Sequence, residues 1–489
     1  MAYGPMDSEP ELLDRLVDVL AYAADGLARL ERHASHWPED ANAFLRRQDK
    51  VAAEAILLAY LASRLPQKPP RLAHAVETVR DQALIHIATE RNEALLRRFP
   101  QTATTLGVGF VLLSQLGRSQ PGVERLLRSA LGRGFATLAE RSTFRMMDTR
   151  WTFGLLDPAL VRPVEELVPL STLGAIPHPI YTMKEDDYAL THAVYYLTDF
   201  GRRSPPPTLR LENRQLVDPF LAWNAVRLDL DLLGEFLIAA LVLRGPASPA
   251  FRYAWHTFFR AWERDGGLVG PEFSAARFAE LRGEEAGAYA FWENYHTVFV
   301  GGILCAVALL TPRPDVRGPD RSPEADPALV ARCARAAAAA RAWIGRQSAS
   351  ARPETSCPSA DDLPEWVVSR LLTLLPSAES SPLWLRTAMD CDLSRPEIAA
   401  VLHEALLVAA AKDYRLVQLA EALAVGAEHA GLRSVTFTRV LEFLLDQQLD
   451  DGCVGIHQLL GGRGDSAPLT EAQGAIAELL TRIASALGR

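Results

Sequence analysis

Between Asp186 and Phe200 the chain reads DDYALTHAVYYLTDF, and four of these side chains can exchange protons or hold a polar ligand. Tyr188, His192, Tyr195 and Asp199 recur at i, i+4, i+7 and i+11, a spacing that puts them on one face of an α-helix. A histidine that titrates near neutrality, a carboxylate that orients it and a tyrosine beside it form an acid–base set. In that reading His192 is base or acid, Tyr195 the relay and Asp199 the orienter. His192 and Asp199 stand about 10 Å apart along a helix axis, so another group has to bridge them. The same stripe also fits a buried, satisfied polar network that fixes helix packing.

Two further groups carry chemistry-bearing types. Asn224, Arg227, Asp231 and Glu235 recur at i, i+3, i+7 and i+11, opposite Leu221, Leu228, Leu232 and Phe236. The ordinary reading is a surface ion-pair ladder. On an inner helix of a closed array the same face would line a cavity. Trp292, Glu293, Tyr295 and His296 precede an apolar run, and Trp292 and His296 share a face. Aromatics beside a titratable group suit a binding pocket, and equally a core with one hydrogen-bonded histidine. Tyr188, Asp231, Trp292 and His296 are the expected substrate-binding residues. Arg145 and Asp148, in the run Phe144–Trp151, are expected to pair where the N-terminal region docks.

The elements that hold these residues are helical. Leu12, Leu13, Leu16, Val19 and Leu20 form an apolar stripe opened by Asp7–Ser8 as a cap, and similar stripes follow along the chain. No alternating segments flank an Asn-Gly or Asp-Gly turn, so strands are not expected. Prolines at 158, 163, 169, 177 and 179 mark the main boundary. The expected fold is all-α: an N-terminal helical domain over 1–175 and an α/α-paired array over 176–489, with one helix expected over 214–244. Two helices run into Asp-Gly followed by a second glycine, at Asp265–Gly266 and Asp451–Gly452. This repeated stop suggests stacked helix pairs.

Gln448–Leu449–Asp450–Asp451–Gly452 resembles the Q-x-x-D-G pattern of the terpenoid cyclase and prenyltransferase β-subunit superfamily, to which lanthionine cyclases are similar in fold. Trp262–Gly266 looks like a degenerate copy. The resemblance implies an α/α toroid around a central cavity for roughly 180–489. The run Tyr188–Gly201 also resembles a helix of an actinobacterial family without an assigned activity. The chain departs from the enzymes of the superfamily in several places. Lys184–Glu185–Asp186–Asp187 has Lys where the first Asp of an acid motif belongs. Pro364 in Asp361–Asp362–Leu363–Pro364–Glu365 disfavours the helix that a magnesium motif needs. Cys453 and His457 have no second Cys-His pair beside them, so no metal site is expected.

Composition narrows the field further. The chain has 489 residues, a net charge of −9 and no dense Lys/Arg stripe, which excludes an ordinary nucleic-acid binder. Its five cysteines have no CxxC spacing, which excludes a disulfide framework. The apolar run Thr297–Leu310 is shorter than the ~18 residues of a span, so a buried helix and a cytoplasmic protein without a membrane span are expected. Abundant Arg and Ala suggest a GC-rich bacterial source. No P-loop, Rossmann glycine motif, nucleophile elbow or HExxH is present. The expected function is an enzyme of bacterial natural-product metabolism. It would do cofactor-independent cyclisation, elimination or isomerisation on an apolar or peptidic substrate. The alternative is a non-catalytic helical scaffold, or a subunit that binds a peptide, a protein partner or a second copy of itself.

Overall fold

Apolar side chains at helical spacing have to be buried against one another, and the computed structural model of the chain is built from helices that do this. It describes residues 7–35, 46–134, 140–175, 177–206, 209, 217–243, 247–311, 326–347, 358–375, 383–391, 395–455 and 467–488. Among these there is no strand, only an isolated bridge between Gln448 and Val454, so the class is all-α. Cys357, His457 and most of the expected loops over 312–327, 348–364 and 461–468 lie outside the described residues.

Eight helices build the site: α1 (Glu9–Ala28), α2 (Arg47–Ser63), α3 (Pro70–Ile87), α4 (Ala103–Gln115), α5 (Thr143–Leu156), α6 (Lys184–Thr198), α7 (Leu230–Val242) and α8 (Gly283–Leu310). Their ends follow from local chemistry. At the start of α1, Ser8 Oγ accepts from Glu11 N–H and Glu11 Oε2 accepts from Ser8 N–H, a capping box. At α6, Met183 N–H donates to Asp186 Oδ2 at 2.9 Å. The helix stops at Thr198 because Asp199, Phe200 and Gly201 all take positive φ, at 49°, 50° and 86°.

The single helix expected over 214–244 is two. Val217–Arg227 ends where Leu228 turns to φ 57°, and Asp229 then caps α7 by accepting from Leu232 N–H at 3.3 Å. This break corrects the expected ion-pair ladder. Arg227 packs over the Trp223 ring at 5.0 Å, while Asp231 and Glu235 go inward and keep only 3% and 2% of their surface exposed.

Six of the eight helices form a ring. α2 packs on α4, α4 on α5, α5 on α6, α6 on α7, α7 on α8, and α8 returns to α2. Three come from before residue 175 and three from after it, so the expected division at 175/176 runs through the ring. α1 lies outside against α8, α2 and α3. α8 is long and apolar enough to cross a membrane, but in the structure it is a core helix held among α1, α2 and α7. The later helices lie outside the ring, and Arg395–Lys412 joins them to it by packing on Val217–Arg227 and Pro249–Asp265.

The two Asp-Gly stops differ. Gly266, at φ 65°, caps the helix Pro249–Asp265 in the left-handed region. Gly452, at φ 93°, lies beyond the end of Val435–Asp446 in a tight turn, where Leu449 N–H donates to the Cys453 carbonyl at 2.7 Å.

The close approach of α8 to α1 and α2 gives a direct test. A Cβ on Gly302 would stand 2.7 Å from Val19 Cγ1 and 3.0 Å from Leu58 Cδ1. Gly302→Ala is expected to destabilise the chain by roughly 1–3 kcal/mol through overpacking. Urea denaturation reads this, and an unchanged midpoint would contradict the packing described.

Candidate functional site: a carboxylate–histidine cluster on an internal cavity

The ring encloses a cavity of about 1140 Å³, lined by residues from all six ring helices. α2, α4, α5 and α6 turn mainly their N-terminal halves to it, through Arg47–Leu57, Thr104–Gly109, Phe144–Trp151 and Glu185–Tyr196. Most of the wall is apolar, and one side is not.

That side is organised by His296 of α8. Its Nδ1 lies 3.0 Å from Glu54 Oε2 of α2, and its Nε2 lies 3.7 Å from Asp231 Oδ1 and 3.8 Å from Glu235 Oε1 of α7. Burial opposes charge on this imidazole, but the three carboxylates outweigh it and hold its pKa well above the ordinary 6.5. Burial likewise opposes charge on Glu54, and the His296 cation overcomes it, with Lys50 adding to the effect, so that the carboxyl falls to about 2. Glu235 follows the same pattern, its burial offset by His192 and His296, and lies below the ordinary range. Asp231 goes the other way, because burial and the neighbouring Glu235 raise it more than His296 lowers it.

α6 supplies the other half. Tyr188 Oη donates to Asp231 Oδ2 at 2.5 Å, and Thr191 Oγ1 donates to Glu235 Oε2. Thr297 Oγ1 of α8 donates to Asp231 Oδ1 at 3.1 Å. His192 Nδ1 lies 2.8 Å from the Tyr188 carbonyl and 3.5 Å from Glu235 Oε2. A neutral ring with its proton on Nδ1 satisfies the carbonyl and leaves Nε2 as the basic atom. The side chain keeps 24% of its surface exposed and His296 keeps 33%, so a ligand can reach both.

The expected site residues divide accordingly. Tyr188, His192 and Tyr195 line the cavity together, His296 joins them, and Asp231 bonds to Tyr188 just behind the surface. Tyr195 is not a relay, because its hydroxyl donates to the Glu235 backbone carbonyl at 2.6 Å and braces α6 on α7. Asp199 does not orient His192. The helix has ended one residue earlier, so its side chain leaves the helical face, accepts from Trp151 Nε1 at 2.9 Å and pairs with Arg64 at 3.2 Å. Trp292 does not line the cavity; its Nε1 donates to the His33 carbonyl at 3.1 Å. The Arg145–Asp148 pair is present at 3.9 Å. Among the described residues, no group of three or more His, Cys, Asp or Glu has the geometry to hold a metal ion.

Sequence reasoning missed Glu54 and undervalued Glu235. Both are the lone acid in an apolar stretch, VAAEAILL and LLGEFLIAALV, a pattern that buries the charge wherever the helix is buried.

A family model described as "Domain of unknown function (DUF6895)" matches residues 16–306, more than half of the chain and the whole cavity lining. No curated protein and no solved structure matches the chain.

Two outcomes are expected. Glu54, held below its ordinary 4.5, contributes stability that is present above pH 4.5 and lost as pH falls toward 2. His296, held above its ordinary 6.5, contributes stability that is present below pH 6.5 and lost as pH rises through its folded value. Wild type and Glu54→Gln should therefore differ most in denaturant midpoint at pH 4.5–6.5 and converge in acid, and the His296 titration followed by NMR should move down in the variant. Asp199→Ala breaks a buried ion pair and should cost roughly 3–5 kcal/mol of stability. It should leave that titration in place, which a role for Asp199 in orienting the histidines would not.

Proposed function

Because the chain belongs to the family Domain of unknown function (DUF6895), whose description carries no activity, we propose a function from the geometry of its cavity. The chain is an enzyme that does acid–base chemistry, such as a cyclisation, elimination or isomerisation, on a largely apolar or peptidic substrate held in the ring. His192 acts through Nε2 as the base and the His296 imidazolium as the acid. Glu235 and Glu54 are positioning residues that fix the charge states of the two histidines. Asp231 and Tyr188 brace Glu235 and His296 from behind. The reaction draws on these residues and on no tightly bound cofactor.

One observation carries this reading: two solvent-reachable histidines on one cavity wall differ in what surrounds them. His296 has three carboxylates around it, and His192 has a backbone carbonyl and one carboxylate. Neighbouring titratable groups driven apart in this way are the usual basis for dividing acid from base. A non-catalytic scaffold gains nothing from burying three carboxylates, which apolar side chains of similar size would replace at little cost. The cyclic order of the ring helices supports the toroid expectation, with the ring drawn from residues 47–310. The buried, unpaired cysteines at 305, 333, 391 and 453 suit a reducing, cytoplasmic setting.

The test is genetic and chemical. The metabolite lost on deleting the gene is measured by mass spectrometry in strains complemented with wild type, His192→Gln or Glu235→Gln. Loss of general acid–base catalysis should slow its formation by roughly 10²–10⁴-fold in each variant. If both variants fold, by circular dichroism and thermal melting, and restore the metabolite at the wild-type rate, the acid–base proposal is wrong.

A further inference from the structure

The charge on the cavity wall is segregated. The carboxylate–histidine cluster occupies the buried side, and the basic residues come from two places: Arg46, Arg47 and Lys50 at the start of α2, and Arg141 and Arg145 at the start of α5. Both groups stand at helix N-termini. α4 and α6 also present their first halves, so the positive ends of several helix dipoles face the same space.

The nearby carboxylates do not balance these cations. Asp49 lies between Arg46 at 3.6 Å and Arg91 at 3.2 Å, and one carboxylate cannot neutralise two guanidiniums. Lys50 lies 3.6 Å from Glu54, whose charge His296 already offsets. Arg145 lies 3.9 Å from Asp148, whose ionisation is disfavoured by burial. The Nε of Arg46 is buried without a hydrogen-bond partner in the protein. Lys50 and Arg145 keep 59% and 60% of their side chains exposed, so this positive surplus is open to a ligand. Beyond them the cavity is walled by Leu57, Ile87, Leu106, Val108, Phe299 and Ile303.

We propose that the cavity takes an amphiphilic anion, with an apolar body against these aliphatic and aromatic walls and one carboxylate or phosphate head held by Arg46, Arg47, Lys50, Arg141 and Arg145. The inference deepens the acid–base reading and depends on it only for what happens to the ligand afterwards. The two ends of the cavity then do separate work. The basic end fixes orientation, and the body extends to His192 and His296, where a C–H or hydroxyl can exchange its proton. The volume sits just above the range of about 300–1,000 Å³ common for small-molecule pockets, which suits a bulky or long apolar body.

Titration calorimetry on the full chain tests this with four probes of equal chain length: dodecanoate, dodecyl phosphate, dodecanol and dodecylammonium. The anions should bind at least about tenfold tighter than the alcohol, the worth of one charge-assisted hydrogen bond. Their advantage should shrink with added salt and in Arg46→Gln. Should Arg46→Gln not fold, the double variant Lys50→Gln/Arg145→Gln, at exposed positions, reads the same quantity. Dodecanol affinity should stay unchanged in either variant. The tighter of the two anions identifies the head group. Binding of the alcohol or the ammonium as tightly as the anions, or binding of no probe, overturns the proposal, and it does so even if the His192 and Glu235 variants lose their metabolite and the acid–base reading stands. Selective anion binding with metabolite formation untouched in those variants has the reverse meaning.

Discussion

A single imidazolium holds three buried or half-buried carboxylates in place. Glu54, Asp231 and Glu235 come from two helices and converge on His296 from a third. Without that positive charge they would repel one another in a poorly hydrated space, and burial would drive each toward its neutral form. With it, α2 and α7 are both tied to α8 through one side chain. α6 is then tied to α7 through Tyr188, Thr191 and Tyr195, each of which meets Asp231 or Glu235. Four of the six ring helices therefore meet at one polar cluster, inside a core that is otherwise aliphatic and aromatic.

Such a cluster is a weak source of net stability. Desolvating several charges costs about as much as their mutual attraction returns. Its effect is geometric: it fixes which atoms of His192 and His296 face the cavity and which of them carry protons. The strained turn after α6 serves the same end. Asp199 and Phe200 hold left-handed conformations that such residues rarely adopt, and the bonds from Arg64 and Trp151 to Asp199 keep them there. Phe200 and Trp151 both line the cavity, so this turn shapes its wall without touching the acid–base groups.

Much of this was legible in the residues. The helical stripe of Tyr188, His192 and Tyr195 follows from spacing alone, and so does the interest of His296 and Asp231. Asp199 was misplaced because the spacing argument assumed that the helix continues to it, and nothing in Thr198–Asp199–Phe200 marks a stop before Gly201. The ladder through Arg227 failed for a similar reason, since Leu228 turns the chain and Asp229 starts a new helix. Asp229 is an ordinary cap residue, and that signal was present. Glu54 was missed because a lone acid in a long apolar run reads as a break in the stripe unless the whole run is known to be buried.

By itself, the sequence determined the class of element and the inward faces. Apolar periodicity dictates helices wherever the chain is to form a core, and absent alternation leaves no competing strand. It could not determine which helices become neighbours. Glu54 and His296 are separated by 242 positions and share a 3.0 Å contact. That contact exists because α8 closes the ring against α2, and ring closure is a property of six helices packed together. The proton on each histidine, and so the chemistry, was decided there, because an imidazole's charge state is set by whatever groups tertiary packing brings within a few ångströms of it.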